Sequence, residues 1–277
     1  MKKCVCFDMR IFIIRHAYSM AQRCFAEGGR FAEAMHYAKV GDSKVLIDPT
    51  HAHRSVECGG FLKEAFNRFA IETPPAFWTS QYLRTHQTLS GIFEGLGDHF
   101  GRELGANDWK IDPRFNEQSF GLVAQQAGLD DEDVRRTVLQ MLEAGKQQYL
   151  NDPFSTPPLL GDSPKRVMES VSNFVDGTMQ RDIDEGEENF VFVVHGAVAK
   201  AMLIKSFHLY DLDVWQSLDT PNNCDVLMIS GEPKNWKCEK IFDGKNGKSL
   251  LDSPENYIAA IHRPTDKPPL SWDLGIK

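Results

Sequence analysis

Long apolar runs are missing from this chain of 277 residues, and none approaches the length of a membrane span. The opening Met1-Lys2-Lys3-Cys4-Val5-Cys6-Phe7-Asp8 starts basic but lacks the apolar core and cleavage site of a secretory signal. Basic residues are outnumbered, and the formal net charge of −8 argues against broad binding to nucleic acid or to an acidic membrane. A small cationic pocket stays compatible with that charge, because a local cluster dominates its own cleft. The six cysteines, at 4, 6, 24, 58, 224 and 238, form no Cys-x-x-Cys pair and read as reduced thiols of a cytoplasmic protein. There is no P-loop and no Gly-x-Gly-x-x-Gly after a strand, which excludes a glycine cradle for a nucleotide. No Gly/Ser- or Pro-rich linker, internal repeat or heptad seam appears, so one substantial core is expected and oligomeric state is left open.

What the chain does have is two short segments that read alike. Ile11-Phe12-Ile13-Ile14 leads into Arg15-His16, and Phe190-Val191-Phe192-Val193-Val194 leads into His195-Gly196. Short apolar runs bounded by polar residues suit strands buried on both faces. Ligands of open parallel sheets bind beyond the carboxyl ends of the strands, so the two histidines can meet over one site. A third such stretch, Phe77-Trp78-Thr79-Ser80, leads to Arg84. Two histidines and two arginines suit a phosphate dianion: arginine offers forked donors to phosphate oxygens. A histidine serves as nucleophile through one ring nitrogen when the other is held. The leaving oxygen needs a proton, and Glu117, in Phe115-Asn116-Glu117-Gln118-Ser119-Phe120-Gly121, is the candidate donor.

Periodicity and punctuation give the expected elements. Strands are expected at 10–16, 76–79, 109–112, 190–195, 224–229 and 236–241. A short helix from Ser19, its N-cap, is closed by Gly28-Gly29, and residues 30–52 read as irregular and polar. Further helices are expected over 53–70, 82–96, 130–150 and 197–208, and from Ser163-Pro164 with Val167, Val171, Phe174 and Val175 as the buried stripe. Loops are expected at 114–129 and 151–162, and the tail from 243 to 277 reads as irregular. Strands alternating with helices imply an α/β layered fold.

Two apparent metal patterns have simpler explanations. The acidic run Asp130-Asp131-Glu132-Asp133 suits the first turn of a helix, where the dipole favours negative charge. His51, His53 and Glu57 do not match a zinc arrangement such as His-Glu-x-x-His, and read as a polar loop and helix start. No metal and no cofactor is expected.

In order along the chain, these segments resemble the motifs of the histidine phosphatase superfamily, also called phosphoglycerate mutase-like. Arg15-His16-Ala17 is similar to its Arg-His-Gly opening, and Ser80-Gln81-Tyr82-Leu83-Arg84-Thr85-His86-Gln87-Thr88 to its Ser-Pro-Leu-x-Arg-x-x-Gln-Thr segment. Asn116–Gly121 resembles its Glu-x-x-x-Gly acid loop, and Gly161-Asp162-Ser163 with Arg166-Val167 its Gly-Glu-Ser and Arg-Val stretch. Val194-His195-Gly196 resembles its late Ser-His-Gly motif, and Pro221-Asn222-Asn223-Cys224 the turn before its last core strand. The chain departs from the pattern at Gln81, where a proline is usual, at Asp162, where glutamate is common, and over Thr50 to Glu57.

The resemblance implies a three-layer α/β sandwich with a mostly parallel central sheet flanked by helices. It would occupy residues 1–242, with a cap insertion around 23–52 and the tail outside it. It implies that His16 becomes phosphorylated, that Arg15, Arg84 and His195 hold the phosphoryl group, and that Glu117 donates the proton. It also puts Ser19, Gln22 and Gly196 near phosphate or substrate. The partner is then a small phosphorylated substrate. Phosphomonoester hydrolysis through a phosphohistidine is favoured over mutase-type transfer, because Gln118-Ser119-Phe120 stands where the mutase loop continues Arg-His-Tyr. A non-catalytic phosphate-binding or scaffold protein is the remaining reading.

Overall fold

The computed structural model describes residues 9–258 except 120, 122–130, 153, 211 and 232–235. The first strand, β1 (Arg10–Arg15), shows why the apolar runs are continuous rather than alternating. Ile11 and Ile13 enter one core with Phe190, Phe192 and Val194, while Phe12 and Ile14 enter a second core with Val191 and Val193. Both faces of the strand are dry between its terminal arginines, so Ile11 to Ile14 are apolar throughout.

Around β1 the sheet is assembled from β2 (Ala76–Thr79), β3 (Trp109–Ile111), β4 (Asn189–Val194), β5 (Val226–Ser230) and β6 (Lys237–Asp243). Two short strands, β7 (Lys248–Ser249) and β8 (Glu255–Asn256), complete it among the described residues. The order is β3-β2-β4-β1-β5-β6-β7, with β8 also pairing β6. From β3 to β1 every pairing is parallel; from β1 onward every pairing is antiparallel. The parallel core matches the sequence expectation. The antiparallel extension does not follow from hydrophobic periodicity, which carries no strand direction.

Helices cover both faces. On one side lie α2 (His53–Arg68) and α3 (Leu83–Leu96), burying Phe61, Leu62, Phe66, Leu89 and Ile92. Their axes approach closely through glycine. A Cβ on Gly59 would lie 2.1 Å from the Ile92 carbonyl oxygen, and one on Gly95 2.1 Å from that of Val56. On the other side lie α5 (Pro164–Asn173) and α7 (Gly196–Ser206), contributing Val167, Val171, Val198 and Met202. Between them in sequence, α5 runs through a π-helical stretch, Phe174–Met179, into α6 (Gln180–Asp184). The acidic run opens α4 (Glu132–Asn151), where Asp131 accepts from the backbone N–H of Asp133 and Val134.

The largest correction concerns the first helix. It begins at Met20, as the Ser19 cap predicts, but runs to Val40 instead of ending at Gly28. Gly29 takes φ 70 and ψ −166, so the glycine pair kinks α1 (Met20–Val40) rather than stopping it. Beyond the kink the chain holds three alanines, with Arg30, Glu33, Met35 and Lys39 also good helix formers, and the helix resumes. Residues read as irregular from 30 onward are therefore helical to Val40, and Gly41 at φ 82 is the actual cap. A short helix, α8 (Leu212–Ser217), was also not foreseen. Of the tail, β7 and β8 join the sheet, and Leu250 and Leu251 are buried; residues 259–277 lie outside the described residues. So do Cys4, Cys6, most of the 114–129 loop, Pro153 and Phe120.

Candidate active site

The carboxyl ends of β1, β2 and β4 bring Arg15-His16, Ser80 and His195 to one edge of the parallel sheet. His16 N–H donates to the Val194 carbonyl at 2.9 Å, continuing the ladder one step past β1. The His16 and His195 rings then stand edge to face, with centroids 5.1 Å apart. Both are buried. The two distant histidines do converge.

The ring of His16 has a defined tautomer. Its Nδ1 lies 2.7 Å from the Ala17 carbonyl oxygen, which can only accept. Nδ1 therefore carries the hydrogen, and the lone pair is on Nε2. Burial, with Arg84 and then Arg15 adding to it, holds the imidazole well below its usual pKa and so neutral. The backbone on either side is clamped. Asn223 Nδ2 donates to His16 O at 2.7 Å, and Ala17 N–H to Thr88 Oγ1 at 2.9 Å.

A hydroxyl chain orients His195. Thr85 Oγ1 donates to the Tyr82 carbonyl at 2.7 Å, so the 2.9 Å contact between Ser80 and Thr85 takes the Ser80 hydrogen. The 2.8 Å contact between Ser80 Oγ and His195 Nε2 then needs its hydrogen from the ring. That leaves a lone pair on Nδ1, which is buried without a hydrogen-bond partner. Burial, Arg84, His16 and Arg15 all press this imidazole toward neutrality. Tyr82 packs its ring 4.9 Å from that of His195 and 4.7 Å from the Arg84 guanidinium carbon.

Arg15 and Arg84 supply the cations. Arg15 Nη1 donates to the Pro221 carbonyl at 2.8 Å, and its buried Nε has no partner. Arg84, in the first turn of α3, is 3% exposed. Its Nη1 donates to both the carbonyl oxygen and Oδ1 of Asp42, each at 2.8 Å.

Glu117 lies within the charge of Arg84 and Arg15. Its carboxylate accepts from Gln118 N–H at 3.0 Å and from Gly196 and Ala197 N–H, each at 3.2 Å. The last two open α7, directly after His195, so the acid is attached to the helix that carries the second histidine. Burial raises its pKa, against the pull of Arg84, Arg15 and the Gln118 N–H. A Cβ on Gly196 would meet Thr220 Cγ2 at 2.6 Å, so a side chain there requires the threonine to shift.

The acid loop is stitched to its neighbours. Gln118 Nε2 donates to Asp162 O, and Asp162 N–H to Ser119 O. Gln81, the departure from the usual proline, donates its backbone N–H to Asn116 Oδ1 at 3.1 Å and accepts from Asn116 Nδ2 at the same distance. Proline has no N–H to make the first of these bonds.

Ser19 and Gln22 sit near the site but are engaged within the protein. Ser19 Oγ accepts from Gln22 N–H, and Gln22 Oε1 accepts from Ser19 N–H, completing a capping box. Gln22 Nε2 donates to Asn223 Oδ1 at 3.0 Å. Sequence reasoning missed Ser80 as the partner of His195, Tyr82 and Asp42. Ser80 lay within a recognised segment, whereas nothing in the sequence marked Asp42. His51 packs on the Tyr18 ring with centroids 4.8 Å apart, and the described residues contain no cluster of three or more metal-ligating side chains. No described helix is long and apolar enough to cross a membrane.

The sequence profile of the histidine phosphatase superfamily (branch 1) matches residues 61–244. That is well over half of the chain, which belongs to this superfamily. The match begins after Arg15 and His16, so their place in the site rests on the geometry above. No curated protein matches the chain in sequence. Among solved structures, the chain is similar to the α-ribazole phosphatase from Shigella flexneri, at 16% identity and TM-score 0.56, over 82% of this chain and 93% of that one. It is also similar to a mycobacterial glucosyl-3-phosphoglycerate phosphatase, at 17% identity and TM-score 0.55, over 84% and 98%. A phosphoglycerate mutase from Bacillus anthracis str. Sterne is similar at 13% identity and TM-score 0.53, over 86% and 95%. At these identities the likeness is one of fold.

Proposed function

We propose that this chain is a phosphatase that hydrolyses a small phosphomonoester through a phosphohistidine on His16. The observation that carries this reading is the His16 ring: Nδ1–H is held by the Ala17 carbonyl, the ring is kept neutral, and Nε2 carries the lone pair among cationic groups. In the first step a bond forms from Nε2 to phosphorus as the bond from phosphorus to the ester oxygen breaks. Glu117 gives its proton to that oxygen. In the second step Glu117, now a carboxylate, takes a proton from water, which attacks phosphorus and releases His16 and phosphate. Arg15 and Arg84 stabilise charge on the equatorial oxygens. His195 Nδ1, a lone pair in the free protein, takes up a proton when a dianion arrives and donates it as a hydrogen bond. Phosphatase names among the structural relatives agree with this reading, and no step calls for a metal. The free thiols of Cys24, Cys58, Cys224 and Cys238 suit a reducing compartment, so we place the reaction in the cytoplasm.

The test is hydrolysis of p-nitrophenyl phosphate in EDTA by wild-type protein and by His16→Ala. Loss of at least about 10³-fold in kcat/KM is expected. Equal turnover by the variant would remove His16 from the mechanism. Interconversion of 3- and 2-phosphoglycerate, primed by the bisphosphate, at a rate exceeding hydrolysis would make the chain a mutase. Absence of turnover on every phosphoester with retained phosphate binding would favour a scaffold.

A further inference from the structure

Arg84 is a cation that the proposed reaction needs on the phosphoryl group, yet its Nη1 already faces an anion. Asp42 offers it two oxygens, one backbone and one carboxylate, both at 2.8 Å. The Arg84 side chain is 4% exposed and that of Asp42 is 34% exposed, so the carboxylate reaches a buried guanidinium from the solvent side. Asp42 stands at the start of a short 3-10 turn, Asp42–Lys44, directly after the positive-φ Gly41. The same pocket holds two buried polar atoms without partners, Arg15 Nε and His195 Nδ1. One guanidinium is thus paired with the chain's own carboxylate, while Arg15 Nε and His195 Nδ1 have polar capacity to spare.

We infer that Asp42 is an internal competitor for the phosphoryl subsite: a phosphate ester, or the phosphate product, binds by replacing the Asp42 carboxylate on Arg84. This rests on the reading of the pocket as a phosphoryl site. Two anions brought to one buried guanidinium repel each other, and water reaches this pair only from the Asp42 side. The carboxylate and the phosphoryl oxygen therefore exclude one another. Every phosphate that binds must break a charge-assisted pair, which weakens its hold. The product faces the same competition, so the returning carboxylate speeds its release. Asp42 acts through Arg84 and touches no reacting atom; it is a positioning residue that sets affinity.

Asp42→Asn tests this in the full-length chain, with inorganic phosphate as the probe. The variant keeps the backbone oxygen on Arg84 and loses the negative charge. Calorimetric titration should show phosphate binding about tenfold tighter than to wild type. The melting temperature should fall without phosphate and rise more steeply with it. A merely structural role would lower the melting temperature and leave the phosphate affinity unchanged or weaker, and that result overturns the inference. In turnover, KM for p-nitrophenyl phosphate should fall and inhibition by phosphate should strengthen. Glu64→Gln, exposed on α2, should bind phosphate as wild type does. Should Asp42→Asn fail to fold, hydrogen exchange on the wild-type protein decides: amides of residues 41–46 should exchange faster with saturating phosphate, and unchanged or slower exchange overturns the inference. Unchanged affinity in Asp42→Asn with His16-dependent turnover intact would sink this inference and leave the phosphatase reading standing. Failure of phosphate to bind either protein would sink both.

Discussion

His16 and Asp42 both feel the charge of Arg84, but they reach it from different kinds of backbone. His16 leaves a strand with neighbours on both sides, its N–H on Val194 and its carbonyl on Asn223. Its position is set by the sheet. Asp42 comes from a turn between a kinked helix and an extended return, outside the sheet altogether. The strand ends make a floor, and residues 20–47, which reach it through Gln22 on Asn223 and Asp42 on Arg84, are its proposed rim. Chemistry that tolerates little displacement belongs on the floor, because near-attack geometry is lost within about an ångström. Affinity and choice of substrate can be left to the rim, where a shift changes binding without moving the nucleophile.

The strongest way to break this comparison is at Glu117, which belongs to the floor through its bonds to the start of α7. Glu117→Gln should lower kcat about 10²- to 10³-fold on esters with poor leaving groups, and much less on p-nitrophenyl phosphate, whose leaving oxygen needs little protonation. The pH profile carries the same information. Burial raises the Glu117 pKa, so its acid form persists to higher pH than in an ordinary carboxyl and is lost as pH rises through the folded value. His16 must be neutral, and its depressed pKa places the acid limb well below 6.5. Steady-state rates on a poor-leaving-group ester should fall on the alkaline side in the wild type, and the Gln variant should lose that limb. Full rate in the variant on such esters would remove Glu117 from the floor.

A milder effect is expected at Ser80. Ser80→Ala removes the acceptor for His195 Nε2–H while leaving the ring buried, so kcat/KM should fall about tenfold, and Ser80→Thr should restore part of it. No change in either would mean that ring packing against Tyr82, rather than the hydroxyl chain, orients His195. The smallest effect is expected at Gln22. Gln22→Ala should cost about 1 kcal/mol of stability from the lost capping box, read from denaturant unfolding, and change KM less than about threefold. A much larger rise in KM would transfer Gln22 from the scaffold of the rim to the substrate.

The floor was legible and the rim was not, for reasons that particular residues make plain. Ile11 to His16 and Phe190 to His195 announce themselves because a strand dry on both faces has no polar positions to dilute the signal. Ser163-Pro164 and the acidic run at 131–133 mark helix starts through side-chain and ring chemistry that is local. Gly28-Gly29 misled because glycine permits a left-handed turn without dictating the conformation of the residues after it; here the helix simply resumes. The antiparallel pairing of β5 with β1 is a fact of topology, with no counterpart in residue spacing. Asp42 was invisible for a further reason. Its partner is 42 positions away and contact between them depends on how the kink aims the second half of α1. Local patterns cannot carry that information.

The rim's two ends lie side by side. Met20 N–H donates to Leu46 O at 3.0 Å, Asp48 N–H to Tyr18 O at 2.7 Å, and Ser19 pairs with Ile47. The chain departs and comes home at a single doorway, anchored just inside it by the fully buried Ala21 and Val45, and the stretch between those anchors is a cassette. Its contents could be lengthened, shortened or traded for another sequence at little entropic cost, since loop closure depends only weakly on length. Selection could then rewrite what this protein prefers without redrafting how it reacts.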